Sequence, residues 1–345
     1  MELNSSPIVS VIVNNFGDLD SLTACLASLL QSDYGEIDVV VVDCLTQGIE
    51  EWIEKKFPKI KLVHLSRDVG PAMQANIGLR LANPRSKYIV FMDNDIEVDK
   101  GWLGPLVELM ETDLTIGAAQ PRILRKKEPM GVDNAGCFLD PTGYPFRIGF
   151  TSEDDPSHYT RVPIEVFYAE TATMIVRRDL LNRFPEPLNP FDGDYFIHFQ
   201  DVDLCWRIWL AEFRVVLIPN SLVYHERGVS GGLYRLSPRS VFLNTRNRVA
   251  TLFKNYSMCN LVRYIPILIM LELLKVVVLL GQKPSHAAAT VKGHLWIWCN
   301  IRAIWKKREE VQRLVRKTSD SYVLSRFIRL NLLRLYRDFK RHYPN

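Results

Sequence analysis

Cysteine is scarce, at six in 345 residues, and no two form a Cys-x-x-Cys pair. That excludes a zinc knuckle and, at this length, a disulfide scaffold. Cys25, Cys44, Cys137, Cys205, Cys259 and Cys299 are therefore read as reduced thiols of a cytosolic body. Internal repeats and low-complexity tracts are missing. Met1 to Pro7 has no basic stretch leading into an apolar run, so no signal peptide is expected. Gly70 to Gly78 lacks the Gly-Lys-Ser/Thr ending of a Walker loop. It also has the wrong spacing for a dinucleotide fingerprint, and it follows the third strand.

Hydrophobic residues make up 47% of the chain, enough for a sizeable core in one large domain or one domain with a helical appendix. Charge is unevenly spread. Residues 251–345 hold 18 Lys or Arg against 5 Asp or Glu, a net of +13, which leaves −9 on residues 1–250. A basic tail on an acidic body points to an anionic partner, nucleic acid or lipid. Short β-branched runs at Ile8–Val13, Ile37–Val42, Ile60–Leu65 and Tyr88–Met92 predict buried strands. Helical spacing between them, at 19–30, 49–57 and 70–82, predicts a mostly parallel α/β sheet. From about Gly117 to Val223 the pattern is mixed, with a helix at 202–211 and a strand at 214–218. A boundary is expected near Ser237-Pro238, with apolar, basic helices beyond it.

Ligands sit at the carboxyl ends of parallel strands, and two acidic sites fall there. Asp93-Asn94-Asp95 follows the fourth strand. Two carboxylates at a strand-end turn can share a hard cation that bridges phosphates; a solvated acidic turn is the alternative. Asp43 ends the second strand and suits a ribose or base contact, or a cap for the next segment. Asp201 and Asp203 open a predicted helix, where acids favour the macrodipole; Asp201 is also placed to act as a general base on a hydroxyl. His225 follows a strand and enters a glycine-rich loop, within reach of a metal or simply packed.

Together these pieces resemble family 2 glycosyltransferases of the GT-A fold, especially the rhamnosyltransferase-like branch, over roughly residues 8 to 235. The matching pieces are 9–15 (Val-Ser-Val-Ile-Val-Asn-Asn), 41–43, 68–70 with 76–78, and Phe-Met-Asp-Asn-Asp at 91–95. They continue with Asn134-Ala-Gly136, Phe191-Asp192, Asp-Val-Asp-Leu-Cys-Trp-Arg at 201–207, and His225 with Gly228 and Ser230. The resemblance implies an α/β GT-A domain over 1–236, with a nucleotide-binding half at 1–116 and an acceptor half at 117–236. A helical membrane-associated region follows at 237–345. It implies an inverting transferase with Asp201 as base. Asn15, Asp43, Gly70, Asn76, Asp93 and Asn94 would contact a UDP- or dTDP-linked sugar. Asp93, Asp95 and His225 would hold Mg2+ or Mn2+. A glycan or lipid-linked hydroxyl would accept the sugar. Two positions depart from the family: Gln200 where Glu is usual, and Asp68 where Asn is usual. The alternatives are a polyprenyl-phosphate sugar synthase and a non-catalytic nucleotide-sugar-binding membrane protein.

The tail has an apolar run at Ile265–Leu280, about 24 Å as a helix against a bilayer core of about 30 Å. Glu272 and Lys275 share one face. The run is read as interfacial or re-entrant rather than spanning. Trp296, Trp298 and Trp305, with Lys306-Lys-Arg308, suit a headgroup layer, as does the Arg-Leu pattern of 327–336. A helical subdomain packed on the body is the alternative. The tail is too apolar for a nucleic-acid arm. The expected location is the cytoplasmic face of a membrane.

Overall fold

The computed structural model describes residues 6–126, 131–148, 162–186, 188, 190–226 and 237–327. The elements run β1 (Val9–Phe16), α1 (Leu19–Leu30), β2 (Ile37–Cys44), α2 (Ile49–Lys56), β3 (Lys61–Leu65), α3 (Pro71–Leu81), β4 (Tyr88–Asp93), β5 (Ile96–Val98), α4 (Leu103–Thr112) and β6 (Ile116–Arg125). Then come β7 (Val132–Asn134), β8 (Cys137–Leu139), β9 (Pro145–Arg147), β10 (Ile164–Glu165), β11 (Thr173–Arg177), α5 (Arg178–Leu181), α6 (Gln200–Leu210) and β12 (Arg214–His225). Helices close the chain: α7 (Pro238–Asn255), α8 (Met258–Gln282), α9 (Pro284–Cys299), α10 (Ile301–Glu310) and α11 (Asp320–Leu324).

The main sheet has the order β10-β12-β6-β11-β4-β1-β2-β3, with β5 paired to β12 and β7 to β6. Strands β3, β2, β1 and β4 run parallel, as do β6 and β12. β11 lies antiparallel between β4 and β6. One sheet thus joins the two halves expected at 1–116 and 117–236. The chain has the α/β GT-A architecture.

Alternation along β1 splits the core in two. Val9, Val11 and Val13 pack with α1, α2 and α4 on one face, while Ile12 packs with α3 and α6 on the other. This second layer also takes Ala250, Leu252, Tyr256, Leu261, Ile297 and Ile304 from the C-terminal helices. Ser237 caps α7, with Pro238 in its first turn, so the expected boundary is a helix start. Residues of the 237–327 helices thus share a core with the sheet. Gly78 shows how close the α3 layer lies: a Cβ there would meet Ile12 Cγ2 at 2.3 Å and Val42 Cγ2 at 3.1 Å. Gly78→Ala should therefore cost about 1–3 kcal/mol by overpacking. Chemical denaturation checks this, and an unchanged midpoint would contradict the packing.

Candidate functional site

The register of three parallel strands brings the acidic segments together. β1 sets Asn14 beside Asp93 of β4 and Asn15 beside Asp43 of β2. From there a hydrogen-bonded chain crosses the strand ends. Asn94 Nδ2 donates to Asn15 Oδ1 at 2.6 Å, and Asn15 Nδ2 donates to Asp43 Oδ1 at 2.6 Å. Asp43 Oδ2 accepts from Thr46 N at 3.1 Å and lies 2.7 Å from His64 Nδ1.

Two residues expected to contact the donor are packed into this chain of hydrogen bonds. Asp43 is fully buried, and its remaining contact is the Thr46 hydroxyl at 2.5 Å on Oδ1. With both oxygens engaged twice, it organises the floor of the site. Asn15 is likewise buried, with its side chain spent on Asp43, Thr46 and Asn94. Asn14 was missed: its buried Oδ1 has no partner, and it stands beside Asp93.

The far side is set by β12. Its antiparallel pairing with β5 puts His225 opposite Ile96. His225 Nε2 then lies 3.2 Å from Asp95 Oδ1, and His225 Nδ1 lies 3.1 Å from Asp133 Oδ2. A carboxylate on the far ring nitrogen fixes the tautomer and orientation of an imidazole. Asp133, beside Asn134, is therefore a positioning group that sequence reasoning passed over. The glycine-rich loop after His225, with Gly228 and Ser230, lies outside the described residues.

Asp201 opens α6 and joins the same electrostatic cluster. Burial, then the Glu170 charge, pushes its carboxyl up to about 7, with Arg147 opposing. Asp93 is also pushed up to about 7, by burial first, then by Asp95, and more weakly by Glu170 and Asp201. His225 acts the other way. Like charges held close cannot all ionise freely. Glu170 and Arg147, an ion pair at this cluster, were not anticipated: each is a lone charge in a segment without a motif. Gln200 donates to Thr171 Oγ1 at 3.1 Å. A Glu there would add one more charge to a site already crowded with acids.

Gly70 and Asn76, expected at the donor, both pack against the segment before Asp201. Gly70 has φ +78°, and a Cβ on it would lie 2.6 Å from Phe196 O. The Asn76 amide donates to Phe191 O at 2.9 Å and accepts from Phe191 N at 3.1 Å. Both hold the 191–199 segment that leads into Asp201. Asp68 accepts from Gly70 N at 2.9 Å, a contact that Asn makes equally well, so this departure leaves the turn intact.

The 191–199 segment is strained. Phe196, His198 and Phe199 all have positive φ, at 59°, 70° and 66°. Such residues persist only where the surroundings over-determine them, and α7 does this. Asn247 Nδ2 lies 2.9 Å from Tyr195 O, 2.9 Å from Ile197 O and 2.8 Å from His198 O. Arg246 reaches Asp194 O and Tyr195 O. Asp192, named in the resemblance, is not in the acidic ring. Buried Lys254, with Lys307, holds it well below the usual carboxylate range despite burial.

Comparison with known proteins agrees with this architecture. Pre-mycofactocin glycosyltransferase of Mycobacterium tuberculosis is 26% identical over 167 residues, covering 48% of this chain and 32% of that protein. The uncharacterized protein y4gI of Sinorhizobium fredii is 22% identical over 246 residues, covering 67% of this chain and 26% of that one. The chain thus spans between a quarter and a third of these relatives' length. The crystal structure of GalNAc-T7 with UDP, GalNAc and Mn2+ superposes with a TM-score of 0.63 at 15% identity, over 99% of this chain and 59% of that one. That likeness concerns the fold. The sequence profile described as Glycosyl transferase family 2 matches residues 10–179, from β1 through the Asp93-Asn94-Asp95 turn to the start of α5. With the strand-end acids in that order on a GT-A sheet, the chain belongs to glycosyltransferase family 2.

Proposed function

We propose that the protein transfers a sugar from a nucleoside-diphosphate donor, UDP- or dTDP-linked, to a hydroxyl of a glycan or lipid-linked acceptor, with inversion. The observation that carries this reading is the convergence of the strand-end acids: β1 sets Asn14 beside Asp93, His225 Nε2 lies 3.2 Å from Asp95 Oδ1, and the Asp201 charge acts on Asp93. An acid raised to about 7 in that cluster is poised for proton transfer near neutral pH. Asp201 takes the proton from the acceptor hydroxyl as its oxygen forms a bond to the anomeric carbon. The bond to the diphosphate oxygen breaks on the opposite face, so configuration inverts. Asn14, whose buried Oδ1 has no partner and which stands beside Asp93, is the group at hand to meet a donor or acceptor hydroxyl.

Asp93, Asp95 and His225 would hold Mg2+ or Mn2+. Oxygen and imidazole donors suit these ions, and the Asp133 contact orients the ring as a ligand requires. Among the described residues no three acidic, His or Cys side chains are gathered closely enough to hold a metal ion by themselves. The fit is to an open site finished by phosphate oxygens. A cation bound there would neutralise charge on the departing diphosphate. That GalNAc-T7, which shares the fold, was crystallised with UDP and Mn2+ supports a divalent cation in this reading.

A panel of nucleotide sugars, assayed for hydrolysis and for transfer to a glycolipid extract, tests the reading. Turnover should appear with one nucleotide class, disappear on chelation and return with Mg2+ or Mn2+. Nucleotide binding with no turnover on any donor would make the protein a binding module instead.

A further inference from the structure

The face of α8 that packs on the body is polar at its centre. Glu272 is buried there against Arg248, Tyr144 Oη at 3.0 Å and His294 Nε2 at 3.0 Å, with Lys275 at 3.9 Å. The opposite face is apolar and bare. Ile269, Met270, Leu273, Leu274, Val277 and Leu280 are each more than half exposed. Trp298, on the neighbouring α9, is 75% exposed. The exposed charges of α8, α9 and α10 are mainly cations: Arg263, Lys292, Arg302 and Lys306, against Glu309.

We propose that this face lies in the plane of an anionic lipid bilayer. The α8 side chains and Trp298 would enter the headgroup boundary, with the surrounding cations on lipid phosphates. Length alone permits a span, since α8 has 25 residues and mean hydropathy 2.2, about 38 Å. Glu272 argues against one. A span would either break its buried ion pair or draw α7, α9 and their polar groups into hydrocarbon. The charge of these helices argues against a second copy, because two copies of a cationic surface repel. An anionic surface answers both the apolar strip and the cations of its helices.

The docking also orients the cleft. Tyr144 and Arg248 tie α8 to the β8–β9 turn, Arg248 by donating to Thr142 O. β9 ends at Arg147, which pairs with Glu170 in the acidic cluster. The β8–β9 side of the cleft is therefore coupled to the membrane-facing helix, which selects an acceptor whose headgroup sits at the lipid surface. This acceptor class rests on the transferase reading; the docking does not.

Sedimentation with vesicles tests the proposal, using phosphatidylcholine alone and phosphatidylcholine with phosphatidylglycerol. The protein should pellet with the anionic vesicles and be released by alkaline carbonate. Leu273→Glu with Val277→Glu, both solvent-facing, should weaken binding at least about tenfold. Melting temperature and nucleotide-sugar hydrolysis should stay unchanged. Protein left in the supernatant of anionic vesicles, or a double variant that binds as well as the parent, would overturn the docking. Carbonate-resistant pelleting would make α8 a span. A dimer that the double variant dissolves, without vesicle binding, would give the face to a second copy. Vesicle binding in a protein with no turnover on any donor would refute the transferase reading alone.

Discussion

Asp201→Asn is expected to lower glycosyl transfer at least about a hundredfold, the scale of a lost general base, while leaving nucleotide affinity near the parent value. It should also stabilise the fold at alkaline pH. Burial and Glu170 raise the Asp201 carboxyl from 3.8 to about 7 in the folded chain. The folded protein therefore holds this proton more tightly than the unfolded one does. Its contribution to stability is complete below about pH 4 and is lost as pH rises through 7. Above that, the parent bears the cost of a half-buried charge that Asn does not carry. Melting curves of metal-free protein at pH 5 and pH 8 should show the variant gaining only at the higher pH. The same titration gives the parent an acid limb in transfer, falling about tenfold per unit below pH 7. Full activity in Asp201→Asn would remove the base assignment and favour transfer to a phosphate acceptor, which needs no strong base.

Asn247→Leu should damage catalysis from outside the reacting groups. It removes the donor facing three carbonyls, at Tyr195, Ile197 and His198. Each carbonyl left buried without a partner costs about 1–3 kcal/mol. Phe196, His198 and Phe199 would then relax from conformations that themselves cost about 1–3 kcal/mol each. Asp201 follows two residues later, and misplacement by about 1 Å costs up to about a hundredfold in rate. The expected pattern is a large loss in kcat, a small change in donor KM and a shifted acid limb. Asn247→Asp, which keeps the size but loses the donors, should fail in the same way. A variant that melts earlier yet keeps its kcat and pH profile would make the clamp structural only.

The sequence makes the first half of the sheet plain because its strands are uniform apolar runs. Val39–Val42 and Tyr88–Met92 each end in the acid that matters, and both strands form where expected. The strand predicted at 214–218 instead runs on to His225, through Pro219 and Ser221, by shifting its register against β6. That extension delivers His225 to Asp95, and no local pattern announces it. Glu170, Arg147 and Asp133 are single charges among small or apolar neighbours, and only the folded sheet brings them to the cleft. The apolar run at Ile265–Leu280 is the middle of a longer helix, capped at Ser257. The length argument against a span therefore fails, and the burial of Glu272 takes its place. The Arg-Leu pattern of 327–336 lies beyond the described residues after Phe327.

The proposed transfer requires acids distant in the chain to converge on one cation and one nucleotide. Anomalous diffraction from crystals soaked with Mn2+ and the preferred nucleoside diphosphate tests it most directly. A single strong peak is expected between Asp93, Asp95 and His225, with the diphosphate on its open side and Asp201 facing the sugar position. A bound nucleotide with its Mn2+ elsewhere on the chain, or with Asp201 turned away from it, would rule out this shared site.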